Sequence, residues 1–201
     1  VPIGAGLAFA HKYNSNNNVC ITYFGDGAAN QGQVYESYNI ASLWQLPVIF
    51  VIENNKYGMG TSVNRSSAGD NLSDRGKAYG IKSEIVDGMD IIAVREAAIK
   101  AIEYCRLGKG PYILEMKTYR YRGHSMSDPA KYRTRDEVEQ IRKTSDPIEN
   151  IKVLLNKMGV VDKVLKDIDV EIKSIIADAA KFAQDSPEPS PSELYTDITI
   201  N

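Results

Sequence analysis

The residues of this sequence best suited to chemistry sit in two short polar motifs. Gly25-Asp26-Gly27 follows directly on the apolar run VCITYF, residues 19–24, and Asn54-Asn55 follows directly on VIFVIE, residues 48–53. An aspartate carboxylate, an asparagine carboxamide oxygen and a backbone carbonyl are hard oxygen donors. They are too few to cage calcium, and they suit magnesium that completes its octahedron with a ligand's phosphate oxygens and water. The ligand this implies is a phosphate held through a metal ion. Gly25 and Gly27 are expected to let the backbone come close and bend sharply. The amides of Gly27, Ala28 and Ala29 are expected to precede a helix whose N-terminus favours an anion. Taken singly, G-D-G is a common turn and N-N ends many strands. The argument for a ligand rests on their occurring together, at the ends of two apolar runs.

The elements that must position these motifs follow from the pattern. VCITYF and VIFVI are short, β-branched and aromatic, the composition of buried strands. Between them Val34, Tyr38, Ala41 and Trp44 recur at spacings of three and four, one face of a helix over residues 30–44. Strand, helix, strand with short joints implies a right-handed crossover and a parallel sheet, with both motifs on its carboxyl edge. The same grammar continues: a Gly- and Ala-rich helix over residues 3–13 suited to close packing on a sheet, a strand at 81–86, a helix at 90–107 capped by Asp90 and stopped by Gly108, and a strand at 112–118. The expected fold is α/β, a doubly wound parallel sheet, with residues 1–133 as the diphosphate- and magnesium-binding domain. Residues 134–201 read as a C-terminal helical extension and Pro-rich tail packed on the same domain. A capping box Thr134/Glu137, Asp146-Pro147 and a stretch at 162–184 open or form its helices, and SPEPSPSE reads as extended.

With those motifs placed, the sequence resembles the alpha subunits of the thiamine-diphosphate-dependent 2-oxo acid dehydrogenase family, in its heterotetrameric form, and within it the pyruvate dehydrogenase type. G-D-G and N-N with 26 residues between them, positions 28 to 53, is the pattern of thiamine diphosphate enzymes. The flanks GDGAANQGQVYESYNIASLWQLP and ENNKYGMGTSV are more specific, and the resemblance extends through VDGMD and TYRYRGHSMSDP to SPEPSPSELY. Branched-chain 2-oxo acid enzymes share G-D-G-A-A and N-N and differ around them. The resemblance implies a thiamine diphosphate-binding fold, with Asp26 and Asn55 as side-chain magnesium ligands, the carbonyl of Tyr57 as a third, and Gly27 and Ala28 on the diphosphate. It places His124 beside the diphosphate, close to where the acyl group is passed on. His11, the other histidine, reads as a surface or packing residue. Residues 117–135 gather Lys117, Arg120, Arg122, Lys131, Arg133 and Arg135 against Asp128 alone, a cationic patch expected to suit a diphosphate and a carboxylate substrate. Ser125 and Ser62 correspond to serines that a kinase modifies in eukaryotic relatives. A phosphate on Ser125 would repel an anionic cofactor. A third such serine has no counterpart in SDPAKYR.

The same resemblance implies oxidative decarboxylation of pyruvate and reductive acetylation of lipoyl groups. The expected partners are a beta subunit in an alpha2beta2 heterotetramer, which brings the activating glutamate, and a dihydrolipoyl acetyltransferase core. The chain opens on Val1, without the leader of a secretory signal, and is expected to be N-terminally truncated and inactive alone. Competing readings are a branched-chain alpha subunit, a non-catalytic magnesium-phosphate module, and a structural subunit that has lost its cofactor. Composition trims the field further. With 24 basic against 26 acidic side chains there is no basic field for nucleic acid, and no apolar run approaches the roughly 20 residues of a membrane span. Cys20 and Cys105 lie in apolar stretches and read as small buried hydrophobes in a reducing compartment, a bacterial cytoplasm or a mitochondrial matrix.

Overall fold

Apolar runs with little polar interruption become strands buried on both faces, as the two central strands of this chain are, whereas the two edge strands each keep one or more positions open to solvent. A computed structural model of the chain describes residues 1–198. In chain order, its elements begin with α1 (Pro2–Tyr13), β1 (Cys20–Gly25), α2 (Gly32–Leu43), β2 (Val48–Asn54), the small hairpin β3 (Tyr57–Gly58) and β4 (Thr61–Ser62), and one turn, α3 (Val63–Ser66). A 3-10 segment, Leu72–Tyr79, leads to β5 (Lys82–Asp87), α4 (Ile91–Arg106) and β6 (Tyr112–Lys117), and three helices follow: α5 (Arg135–Ser145), α6 (Pro147–Lys157) and α7 (Asp162–Asp185). β1, β2, β5 and β6 form one wholly parallel sheet in the order β1-β2-β6-β5. The expected doubly wound α/β sheet is therefore the one observed.

β2 lies at the centre, and Val48, Ile49, Phe50, Val51 and Ile52 are each at most 4% exposed. Side chains alternate between two packing layers. Phe24, Phe50, Ile52 and Ile113 meet Ala8 of α1, Val34 and Tyr38 of α2 and Leu72 of the 3-10 segment on one face. Ile49, Val51, Leu114 and Met116 meet Ala97, Ala101 and Cys105 of α4 on the other. Such burial contributes about 1.5–3 kcal/mol per large side chain, which is what the buried polar groups described below must be weighed against. Cys20 and Cys105 are both buried, and they belong to opposite faces of the sheet.

The helix ends follow the expected chemistry with three departures. Asp90 caps α4 by accepting from the amides of Ile92 (2.8 Å) and Ala93 (3.1 Å), and Asp146 does the same for Ile148 and Glu149 as Pro147 opens α6. At α5 only half of the capping box forms. Thr134 accepts from the Glu137 amide at 3.2 Å, whereas the Glu137 carboxylate is taken by the Tyr119 hydroxyl at 2.8 Å. Residues 28–30 form a 3-10 turn, and Gln31 is extended (φ −78°, ψ 140°) before α2 starts at Gly32, so the helix begins later than its periodicity suggests. The tail is not extended throughout, because Pro191–Tyr195 is a 3-10 turn.

The chain divides into two compact units, residues 1–151 and 152–201, with the division inside α6. The first holds the sheet, its covering helices and α5. In the second, Lys152 lies 3.7 Å from Asp169 and Asn156 donates to Asp162 at 3.2 Å, while Ile168, Ile172 and Ile175 recur at helical spacing along α7. Among the described residues no helix is long and apolar enough to cross a membrane.

The close seating of α1 on the sheet rests on one position. A Cβ placed on Gly4 would lie 2.4 Å from Thr22 Cβ, while one placed on Gly6 meets nothing within 4 Å. Gly4→Ala is expected to destabilise the protein by about 1–3 kcal/mol. Gly6→Ala should be neutral or stabilising by up to about 1 kcal/mol. Denaturant midpoints of the two variants should therefore move in different directions, and equal shifts would remove Gly4 from the contact.

Candidate metal and phosphate site at the strand ends

Parallel register places the two motifs side by side. Gly25 is opposite Glu53 and Asn54 is opposite Lys117, so the carboxyl ends of β1, β2 and β6 form one edge. Asp26 leaves that edge buried, at 3% exposure. Burial pushes its carboxyl above the ordinary range, against the backbone amides of Asp26 itself and of Asn55 and the charge of Arg120. Among the described residues Asp26 has no ion pair with a lysine or arginine. The Gly27 backbone is in the ordinary helical region (φ −65°), and neither Gly25 nor Gly27 has positive φ. The close backbone approach expected here is therefore present at Gly27, and neither glycine needs a left-handed backbone to make it. A Cβ on Gly58 would stand 3.2 Å from Gly27 Cα and 3.7 Å from Asp26 Oδ2, so the hairpin lies directly on the G-D-G turn.

The turn after β2 is built by its own asparagines. Asn54 Oδ1 accepts from the Lys56 amide (3.2 Å) and Asn55 Oδ1 from the Tyr57 amide (3.3 Å), two successive Asx turns. Between them Lys56 is held at φ +74°, a left-handed conformation that costs a residue with a Cβ about 1–2 kcal/mol. Asn54 Nδ2 donates at 2.8 Å to Glu115, a fully buried carboxylate on β6. Glu115 also accepts from the Ser73 amide (2.9 Å) and pairs with Lys117 (2.6 Å). Burial acts to raise the Glu115 carboxyl, but Lys117, the Ser73 amide and the Asn54 carboxamide together hold it below the ordinary range. Sequence reading missed Glu115, because a single acidic residue in ILEMK resembles the outward-facing position of a strand.

The polar segment after β6 is bolted onto the same turn. The guanidinium of Arg120 donates to the carbonyls of Tyr57 (3.2 Å) and Met59 (2.6 Å), and the Tyr132 hydroxyl lies 2.8 Å from it. Arg133 donates to the carbonyls of Arg120 and Arg122 and stacks over Tyr119. With Lys117 engaged by Glu115, three of the six cations of the expected patch are committed to internal partners, so the patch is smaller than its composition suggests. Asp128 organises the loop that carries His124. Its carboxylate accepts from the amides of His124 (2.7 Å) and Ala130 (2.8 Å) and from the Tyr132 hydroxyl (2.8 Å). A Cβ on Gly123 would sit 2.6 Å from the Asp128 carbonyl oxygen, which is why the loop begins with glycine.

The structure thus brings together Asp26, Gly27, Asn55 and Tyr57, with Ala28 opening the 3-10 turn beside them. His124 and Ser125 lie exposed on the loop, and the Ser125 hydroxyl is 3.1 Å from that of Ser127. Ser62 is half-buried and lines a polar pocket of 310 Å³ with Asn54, Lys56, Tyr57 and Lys117. His11 falls in the last turn of α1. The donor set fits a hard divalent cation. The buried Asp26 carboxylate lacks a countercharge partner, and Asn55 Oδ1 and the Tyr57 carbonyl each accept one hydrogen bond, which leaves lone-pair capacity on an amide oxygen. Among the described residues there is no group of three or more His, Cys, Asp or Glu side chains that could hold a metal ion, so an ion here would complete its coordination with ligand oxygens and water.

These features define a doubly wound α/β protein with a buried carboxylate and two amide oxygens gathered at its strand ends. The chain belongs to the dehydrogenase E1 component family, whose sequence model matches residues 1–192. It is 60% identical over 201 residues to the pyruvate dehydrogenase E1 component subunit alpha of Rhizobium meliloti, covering 100% of this chain and 58% of that protein. For the subunit of the same name from Zymomonas mobilis the identity is 56% over 200 residues, 100% of this chain and 56% of the relative. For the mitochondrial somatic form from Bos taurus it is 53% over 204 residues, 100% and 52%. The chain spans just over half the length of these curated relatives.

The Asp128 network has a definite pH signature. Its amide and hydroxyl donors, the His124 amide first, hold the carboxyl down at about 2. A depressed carboxyl contributes fully above its ordinary range, and the contribution is lost progressively as pH falls from that range through the folded value. Protection of residues 123–131 in hydrogen exchange, corrected for intrinsic rates, should therefore be constant from about pH 5 to 8. Asp128→Asn should lose that protection at every pH, and a wild-type loop that opens on acidification at or above about pH 6 would contradict the assignment.

Proposed function

We propose that this chain is the cofactor-anchoring part of a pyruvate dehydrogenase alpha subunit, working with a beta subunit and an acetyltransferase core in the oxidative decarboxylation of pyruvate. The observation that carries the reading is the meeting of Asp26 and Asn55 at adjacent strand ends, under a hairpin pressed onto Gly27. In this reading Asp26, Asn55 and the Tyr57 carbonyl hold Mg2+, and Gly27 and Ala28 receive the diphosphate of thiamine diphosphate. When bound, thiamine diphosphate supplies the carbanion and electron sink for decarboxylation. The chain's own work is binding and orientation. Asp26, desolvated and without a paired cation, gains most from a divalent ion. The hydrogen bonds from Arg120 to the Tyr57 and Met59 carbonyls tie the loop of His124 to the same turn. His124 is assigned to the transfer of the acyl group, and Ser125 and Ser62 are positions where a phosphate would oppose the anionic cofactor. The pyruvate type is favoured over the branched-chain type by the names of the relatives at 52 to 60% identity.

Two variants in the chain assembled with a beta subunit test this reading. Asp26→Ala should weaken Mg2+-dependent thiamine diphosphate binding by on the order of 100-fold or more, as removing a ligand should cost at least as much as removing its support. Its far-ultraviolet circular dichroism should be retained. Unchanged affinity in a calorimetric titration removes Asp26 from the ligand set. His124→Ala should lower reductive acetylation of lipoyl groups by about 100-fold or more, with a much smaller change in cofactor affinity. Equal losses in the two measurements would reduce it to a binding residue.

A further inference from the structure

Glu115 is the most expensive polar group in the sheet, and its apolar strand gives it no reason to be there. Its neighbours Ile113, Leu114 and Met116 are buried with it, and Glu115 itself is 0% exposed. Removing an ion from water is costly, and replacing a buried ion pair by packed hydrophobes is often neutral or stabilising. Stability alone therefore does not account for this carboxylate. Its partners point elsewhere. It accepts from Asn54 Nδ2, from Lys117 and from the Ser73 amide, at 2.8, 2.6 and 2.9 Å.

A carboxylate can only accept. Its contact with Asn54 consequently decides which end of that carboxamide is nitrogen, and so directs Asn54 Oδ1 at the Lys56 amide. That bond holds Lys56 at φ +74°, and the turn so fixed presents the Asn55 side chain and the Tyr57 carbonyl. We propose that Glu115 is a positioning residue: through Asn54 it sets the turn that aims Asn55 and Tyr57 at the strand-end site. The proposal rests on the reading of those two residues as cation ligands. Lys117 keeps the carboxylate ionised and lies opposite Asn54 in the sheet register, so the charge pair and the turn are fixed by the same two strands. With glutamine at 115 the acceptor is no longer obligatory. The Asn54 carboxamide is free to turn over, and its NH2 then opposes the Lys56 N–H.

The test compares wild type, Glu115→Gln, Glu115→Leu and the double variant Asn54→Asp/Glu115→Gln. The double variant reverses the polarity of the contact while preserving the net charge and an acceptor for the Lys56 amide. Hydrogen exchange of the full chain without ligand should be at least about 10-fold faster at Lys56 and Tyr57 in both single variants, with amides of β1 and α4 unchanged. The double variant should return to near the wild-type rate. In the chain assembled with a beta subunit, Mg2+-dependent cofactor affinity should fall about 10- to 100-fold in the single variants, the range for residues that support a ligand, without a matching loss in thermal midpoint. Wild-type exchange at Lys56 and Tyr57 in Glu115→Gln overturns the proposal. So does a uniform rise in exchange across the sheet that the double variant fails to reverse, since that would make Glu115 a stability residue only. Faster exchange with unchanged Mg2+ affinity also overturns it, because the turn would then not aim the ligands. A wild-type assembly that binds neither Mg2+ nor thiamine diphosphate would overturn the functional reading and this proposal's aim together, and the exchange data would still show whether Glu115 holds the turn.

Discussion

Parallel pairing of β1 with β2, and of β2 with β6, is the constraint on which the rest depends. In a parallel sheet every strand ends on the same edge, so residues after Gly25, Asn54 and Lys117 are delivered to one place whatever their distance in sequence. The apolar interior of β2 holds that register, because a slip by one residue would exchange the two buried faces of the sheet. Asp26 and Asn55 are brought to adjacent positions by the sheet's packing, and the Asn55 amide then hydrogen-bonds the Asp26 carboxylate.

The edge then has to solve a second problem, the cost of burying polar groups. Asp26 and Glu115 are both buried carboxylates, and they are treated differently. Glu115 is saturated, with a lysine, an amide and a carboxamide around it, and is held below the ordinary range. Asp26 has backbone amides and a remoter arginine, and burial raises it. One carboxylate is saturated by the chain's own donors and the other is not, a contrast that burial alone does not reveal.

Arg120 joins this edge to the loop of His124. Because its guanidinium donates to carbonyls on the hairpin while Tyr132 bridges it to Asp128, the loop and the strand-end turn are parts of one hydrogen-bonded assembly. A charge placed on Ser125 or Ser62 would enter that assembly from its two ends, the exposed loop and the polar pocket.

Local chemistry made much of this legible in the amino-acid order. VCITYF and VIFVI had the composition of strands, although one face of the first is open to solvent, Asp90 and Asp146 stood where helix caps belong, and G-D-G with N-N marked two strand ends worth joining. The reason is that hydrophobic periodicity and capping depend on residues within a few positions of one another. Other features were settled only by residues meeting from distant parts of the chain. Gly58 closes on Gly27, Glu137 gives up half its capping box to Tyr119, Arg120 and Arg133 turn from an apparent cationic patch to backbone carbonyls, and Glu115 faces inward to Asn54. Sequence pattern shows which groups carry charge or a lone pair. Whether a group spends it on a neighbour or keeps it for a ligand is decided by packing, since that choice depends on which partners the folded sheet brings within about 3 Å.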